Sequence, residues 1–155
     1  MSTWNWDVRQ ERLREAEADR QAVMTTPDRP RIVCLCGSSR FYDQFQQANY
    51  DQTMRGEIVL SLGFYPHSTA AHGHGEGTGH DSAQKVVLDE LHKRKIDLAD
   101  YVLVVSDITG YYGSSTLSEI RYALEHGKAV EFTEPAARQR FVNQYRAGLL
   151  PGGAS

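Results

Sequence analysis

No stretch of the chain is apolar over the roughly 18 or more residues that a membrane-spanning helix requires, so no such span is expected. Nor is there a basic excess. Lys and Arg number 17 against 20 Asp and Glu, a net charge of −3, which argues against a nucleic-acid backbone or an anionic membrane surface as partner and leaves a small molecule as the expected ligand. Cysteine is scarce too. Cys34 and Cys36 stand two apart in an apolar run, so on a strand they share a face and cannot readily bridge each other. With no further ligands beside them in the sequence they are expected to be plain buried thiols, and no metal is expected. The first thirty residues are polar and hold no apolar run of signal-peptide character, which makes the cytoplasm the expected location.

What is present fits one domain of 155 residues. Residues 1–30 read as an N-terminal helical extension, with a Glu-, Arg- and Ala-rich helix over 8–24 ended by Pro27 and Pro30; residues 31–147 read as a single α/β domain and 148–155 as a flexible tail. Continuous apolar runs at 31–36, 57–62, 101–105 and 129–132 predict strands covered on both faces. Helices are predicted between them. That over 41–54 turns Phe41, Phe45, Ala48 and Gln52 inward; that from about Ser82 to Leu98, capped by Asp81 or Ser82, uses Val87, Leu88, Leu91 and Leu98; those over 115–126 and 134–147 follow, the former ended by Gly127. This alternation predicts a doubly wound, flavodoxin- or Rossmann-like open parallel sheet of four to five strands, with ligands beyond the strand carboxyl ends.

Two strand-to-helix turns hold the chemistry. In Gly37-Ser38-Ser39-Arg40 glycine permits close approach of backbone to ligand, the hydroxyls can donate, and Arg40 can grip a phosphate through two parallel hydrogen bonds. The same residues equally suit a tight turn in which Ser38 or Ser39 caps a helix. The second turn runs from Asp107 to Glu119. Two carboxylates at one strand end can divide labour, one attacking or stabilising a cationic sugar and the other holding its hydroxyls, although Glu119 also suits the positive end of a helix with no further role.

The combination of Cys36-Gly-Ser-Ser-Arg40, Lys95-Ile-Asp-Leu-Ala-Asp100 and Gly110-Tyr-Tyr-Gly-Ser-Ser-Thr-Leu-Ser-Glu-Ile-Arg-Tyr-Ala123 with Gly127-Lys128 resembles the nucleoside 2-deoxyribosyltransferase superfamily, which includes the 2′-deoxynucleoside 5′-monophosphate N-glycosidases. The resemblance covers about residues 31–132 and implies a nucleotide-binding domain. It further implies a glutamate nucleophile, matched by Glu119, that attacks the anomeric carbon of a (deoxy)ribose and expels the base. Asp107 resembles the carboxylate that binds sugar hydroxyls. Ser38 and Arg40 match positions that hold a 5′-phosphate, with Gly37 and Ser39 beside them, and Gly113, Ser114 and Ser115 would line the same end. The proton donor departs from the pattern: His92 stands where related enzymes carry a carboxylate, and Asp89 or Glu90 could substitute. Tyr111 and Tyr112 could stack on a base or pack the core.

Residues 66–82 combine glycines with His67, His72, His74 and His80, a loop that could cover the ligand or simply be solvated; it lacks the usual metal-ligand spacing, and the resemblance implies neither metal nor cofactor. The expected function is N-glycosidic cleavage of a nucleoside 5′-monophosphate, or deoxyribosyl transfer, in a homodimer or larger homo-oligomer. The alternative is a non-catalytic nucleotide sensor of the same fold.

Overall fold

Two strands dominate the interior because they are apolar at every position. In a computed structural model, which describes residues 6–23, 29–63 and 83–152, β1 (Ile32–Gly37) and β3 (Tyr101–Val105) lie side by side at the centre of a sheet ordered β2-β1-β3-β4, all parallel. The outer strands are β2 (Ile58–Leu60) and β4 (Ala129–Phe132), and the helices are α1 (Trp6–Val23), α2 (Tyr42–Met54), α3 (Ala83–Leu98), α4 (Ser114–Glu125) and α5 (Pro135–Arg146). Strand alternation sorts the core into two halves. Cys34, Cys36, Val102 and Val104 meet Ile96, Ile120, Ala123 and Ala137 from α3, α4 and α5, whereas Val33, Leu35, Leu103 and Val105 meet Phe41, Phe45 and Ala48 at α2 on the other face. The sheet is thus the predicted open, doubly covered one, with four strands.

Four local expectations change. The second strand, predicted to reach Leu62, pairs with β1 only through Leu60, and the next carbonyl, of Ser61, accepts a hydrogen bond from Lys95 Nζ at 2.6 Å. Neither Ser38 nor Ser39 caps α2: the Phe41 N–H donates to the Ser38 carbonyl, and this turn sets Phe41 at the N-cap. Along α3, Val87 and Leu98 are exposed, the half-buried Leu88 and the exposed Leu91 line a cavity described below, and the buried positions are His92 and Ile96. Residues 148–152 are docked: Leu150 is buried, and the Leu149 carbonyl accepts from Arg121 Nε at 2.8 Å. The histidine-bearing loop, the Asp81 and Ser82 caps and residues 153–155 lie outside the described residues.

The chain entering β1 is fastened to the chain entering β3. Arg29 grips the Asp100 carboxylate with two hydrogen bonds, of 2.7 and 2.9 Å, and the Ile32 N–H donates to it at 2.7 Å. The guanidinium, with help from that N–H, holds Asp100 at about 2, well below the usual carboxylate range. A depressed carboxylate adds stability above its ordinary pKa, near about 4, and that contribution is lost as the pH falls towards the folded value. Asp100→Asn is therefore expected to be less stable than wild type at about pH 6, with the difference shrinking between about pH 4 and pH 2; paired urea titrations across that window check it.

Candidate active site

A cavity of about 500 Å³ opens beyond the carboxyl ends of β1 and β3. Gly37, Ser38, Ser39 and Arg40 line it from the β1–α2 turn, Tyr111, Gly113, Ser114 and Ser115 from the β3–α4 connection, and Asp89 and His92 from α3, with Glu119 projecting from the second turn of α4. Gly37 is obligatory where it stands. A Cβ there would come within 2.4 Å of the carbonyl oxygen of Val105, the residue opposite it in the sheet. Gly113 is the N-cap of α4 and makes no side-chain capping bond. The first N–H groups of that helix thus need partners from elsewhere, and they lie at the cavity, a place suited to anions.

Where His92 and Glu119 form the wall, three elements bring four reactive side chains together, with Cys34 and Cys36 buried behind it. Cys34 and Cys36 point from one face of β1, His92 arrives from α3 and Glu119 from α4. The imidazole Nε2 lies 3.3 Å from Cys36 Sγ, 3.7 Å from Cys34 Sγ and 4.0 Å from Glu119 Oε2. Glu119 Oε2 and His92 Nδ1 are both buried without a hydrogen-bond partner among the described residues. Burial pushes the Glu119 carboxyl up to about 7 against the pull of His92. Burial likewise raises the Cys36 thiol, whereas Cys34, hydrogen-bonded by Cys36, is lowered to about 6. Burial opposes the His92 cation too, but Cys34 and Glu119 outweigh it and raise that pKa.

Asp107 stands apart from this cluster. Its carboxylate closes on its own turn, accepting from the Thr109 N–H at 3.1 Å and from the Thr109 hydroxyl, and it does not line the cavity. Glu90 is exposed and pairs with Arg94 at 3.2 Å. Among the described residues, that leaves Asp89 and Glu119 as the two carboxyl groups of the cavity wall. Asp89 accepts from Lys85 Nζ at 2.7 Å, and the same ammonium reaches Ser115 Oγ at 3.0 Å, bridging α3 to the start of α4. Tyr111 lies under the Arg40 guanidinium, 4.7 Å from ring centroid to Cζ, with its ring edge-on to Phe41. Tyr112 is buried in the core and hydrogen-bonds Gln144.

The lysines were the part that sequence reasoning missed. Lys85 and Lys95 both line the cavity; Lys95 stands in the Lys95–Asp100 stretch without a site role there, and Lys85, on a helix rich in charged residues, carries no local signature. Inward placement on α3 at the spacing of His92 is the one signal that would have selected them, and it depends on the helix's rotation. No protein-family model, curated protein or solved structure matches the chain.

Proposed function

We propose that the cavity binds a nucleoside 5′-monophosphate and that Glu119 cleaves its base–sugar bond. The observation that carries this reading is the Glu119 carboxyl itself, buried, its Oε2 unpartnered among the described residues, in the wall of a cavity lined also by Arg40, four serines and a helix N-terminus. C–N glycosidic cleavage passes through an oxocarbenium-like state, which a carboxylate at the anomeric carbon stabilises and then traps. In the first step a Glu119 oxygen bonds to C1′ as the C–N bond breaks and the base takes a proton; in the second, water or another base displaces the glutamate. Asp89 lines the same cavity and is assigned to relay that proton from the Lys85 ammonium, from which it accepts at 2.7 Å. His92 is less well placed, because its Nε2 is turned towards the thiols and Glu119.

The 5′-phosphate is assigned to Arg40 and the α4 N-terminus, by charge. A charge-assisted bidentate contact contributes about 1.5–3 kcal/mol, so Arg40→Ala is expected to raise KM for a nucleoside 5′-monophosphate by about 10–100-fold and to leave the unphosphorylated nucleoside nearly unchanged. Incubation with a panel of nucleotides, followed by chromatography for free or exchanged base, tests the activity; no released base from any of them would overturn it. The sensor reading draws its support from the engagement of Asp107 by Thr109, which removes one expected carboxylate from the cavity. Nucleotide-induced thermal stabilisation without any product would favour that reading instead.

A further inference from the structure

The two thiols and His92 have no part in the proposed cleavage, yet they converge beside Glu119. We propose that Cys34, Cys36 and His92 form a site for a zinc-class divalent cation, with Glu119 as its fourth ligand. The donors come from three elements that the fold fixes independently: two residues of one face of β1, one of α3 and one of α4. Tetrahedral zinc with Zn–S near 2.3 Å and Zn–N near 2.0–2.1 Å separates sulfur from nitrogen by about 3.6 Å. The two Sγ···Nε2 distances, 3.3 and 3.7 Å, bracket that value. The Sγ atoms and the imidazole nitrogen all lie within 4.8 Å of one another.

Glu119 supplies the second, independent observation. Its side chain is 9% exposed, its Oε2 has no hydrogen-bond partner among the described residues, and that atom lies 4.0 Å from the nitrogen that would hold the metal, about 0.6 Å more than the roughly 3.4 Å for two ligands of one tetrahedral ion, so the carboxylate moves inward to complete the site. A cation there gives this oxygen the partner it lacks. Coordination through Nε2 leaves the imidazole proton on Nδ1, where it faces no protein acceptor among the described residues. Two sulfurs and an imidazole select zinc, cobalt and similar borderline cations over magnesium or calcium, which prefer oxygen. Burial of both cysteines also excludes the loose, wet coordination of an exposed histidine cluster.

The probe is Co²⁺ alone, added to the full chain after treatment with a chelator. One equivalent is expected to bind, with a thiolate-to-cobalt charge-transfer band and the intense visible bands of a four-coordinate ion, and one equivalent of Zn²⁺ should bleach both. The histidines at 67–80 have no sulfur, so cobalt binding without the thiolate band would place the metal on them and overturn the assignment, as would no binding by folded protein. Cys36→Ala should lose about half of the charge-transfer intensity and weaken binding beyond the 10–100-fold typical of an outer-sphere loss. If that variant does not fold, the wild-type spectrum decides alone. Metal loading should also silence base release by engaging Glu119; that effect rests on the glycosidase reading, whereas the cobalt spectrum does not.

Discussion

Glu119→Gln is expected to lower base release from a nucleoside 5′-monophosphate by about 10³-fold or more, with the fold intact and nucleotide binding retained. The amide keeps the size of the carboxyl but has no anionic oxygen to form the bond to C1′ or to offset the charge of the oxocarbenium-like state. Loss of rate through unfolding is not expected, because burial already disfavours the ionised carboxylate and an amide carries no such penalty. The assay belongs on the alkaline side of neutrality, where wild-type Glu119, with a pKa of about 7, is mostly ionised. Product chromatography measures the rate and nucleotide-dependent thermal shift measures the binding. A variant as fast as wild type would remove Glu119 from the chemistry. One that fails to bind as well would point to a contact made equally in ground and transition states.

The order of elements was legible in the sequence because it depends on local pattern. Continuous apolar runs at β1 and β3 require cover on both faces, and the residues read as inward-facing on α2 are buried, from Phe41 and Phe45 to Ala48 and Gln52. The rotation of α3 was not legible. Its Val87, Leu91 and Leu98 repeat at helical spacing as a core stripe would, yet they are exposed, and His92 and Ile96 are buried in their place. A hydrophobic period says that a helix has an apolar side; which part of it is covered is set by what faces it, and here Leu88 and Leu91 face an open cavity instead of packed core. The candidate site divides in the same way. Both strand-to-helix turns bring their named residues to one cavity, since such turns end at neighbouring strand ends in any parallel sheet. Asp107 does not join them, because a threonine two residues on accepts the role of its hydrogen-bonding partner within the same turn. The cysteines show the limit most directly: their partners lie 58 and 56 residues away at His92, and no spacing within β1 announces a neighbour on α3.

Gly110→Ala is expected to destabilise the fold by about 2–4 kcal/mol, and Gly127→Ala supplies its control. Both glycines have left-handed backbones, with φ of +73° and +70°, so alanine costs each of them about 1 kcal/mol on that account. They differ in what a methyl group would meet. At Gly127 there is nothing within 4 Å, whereas at Gly110 a Cβ would lie 2.3 Å from the Ala137 nitrogen and 2.4 Å from the Ala136 carbonyl carbon, backbone atoms of the first turn of α5. Helix backbone cannot give way as a flexible side chain can, and overpacking of this kind adds about 1–3 kcal/mol. Urea unfolding of the two variants therefore separates the terms: equal losses would mean that the Gly110 loop moves off α5 at no cost. The consequence for the site lies in that displacement. Gly110 is followed at once by Tyr111, whose ring lies beneath the Arg40 guanidinium, so a loop pushed away from α5 shifts the support of the corner proposed to hold the phosphate. Gly110→Ala protein that is still folded should thus show a raised KM for the 5′-monophosphate, as Arg40→Ala does, and Gly127→Ala should not.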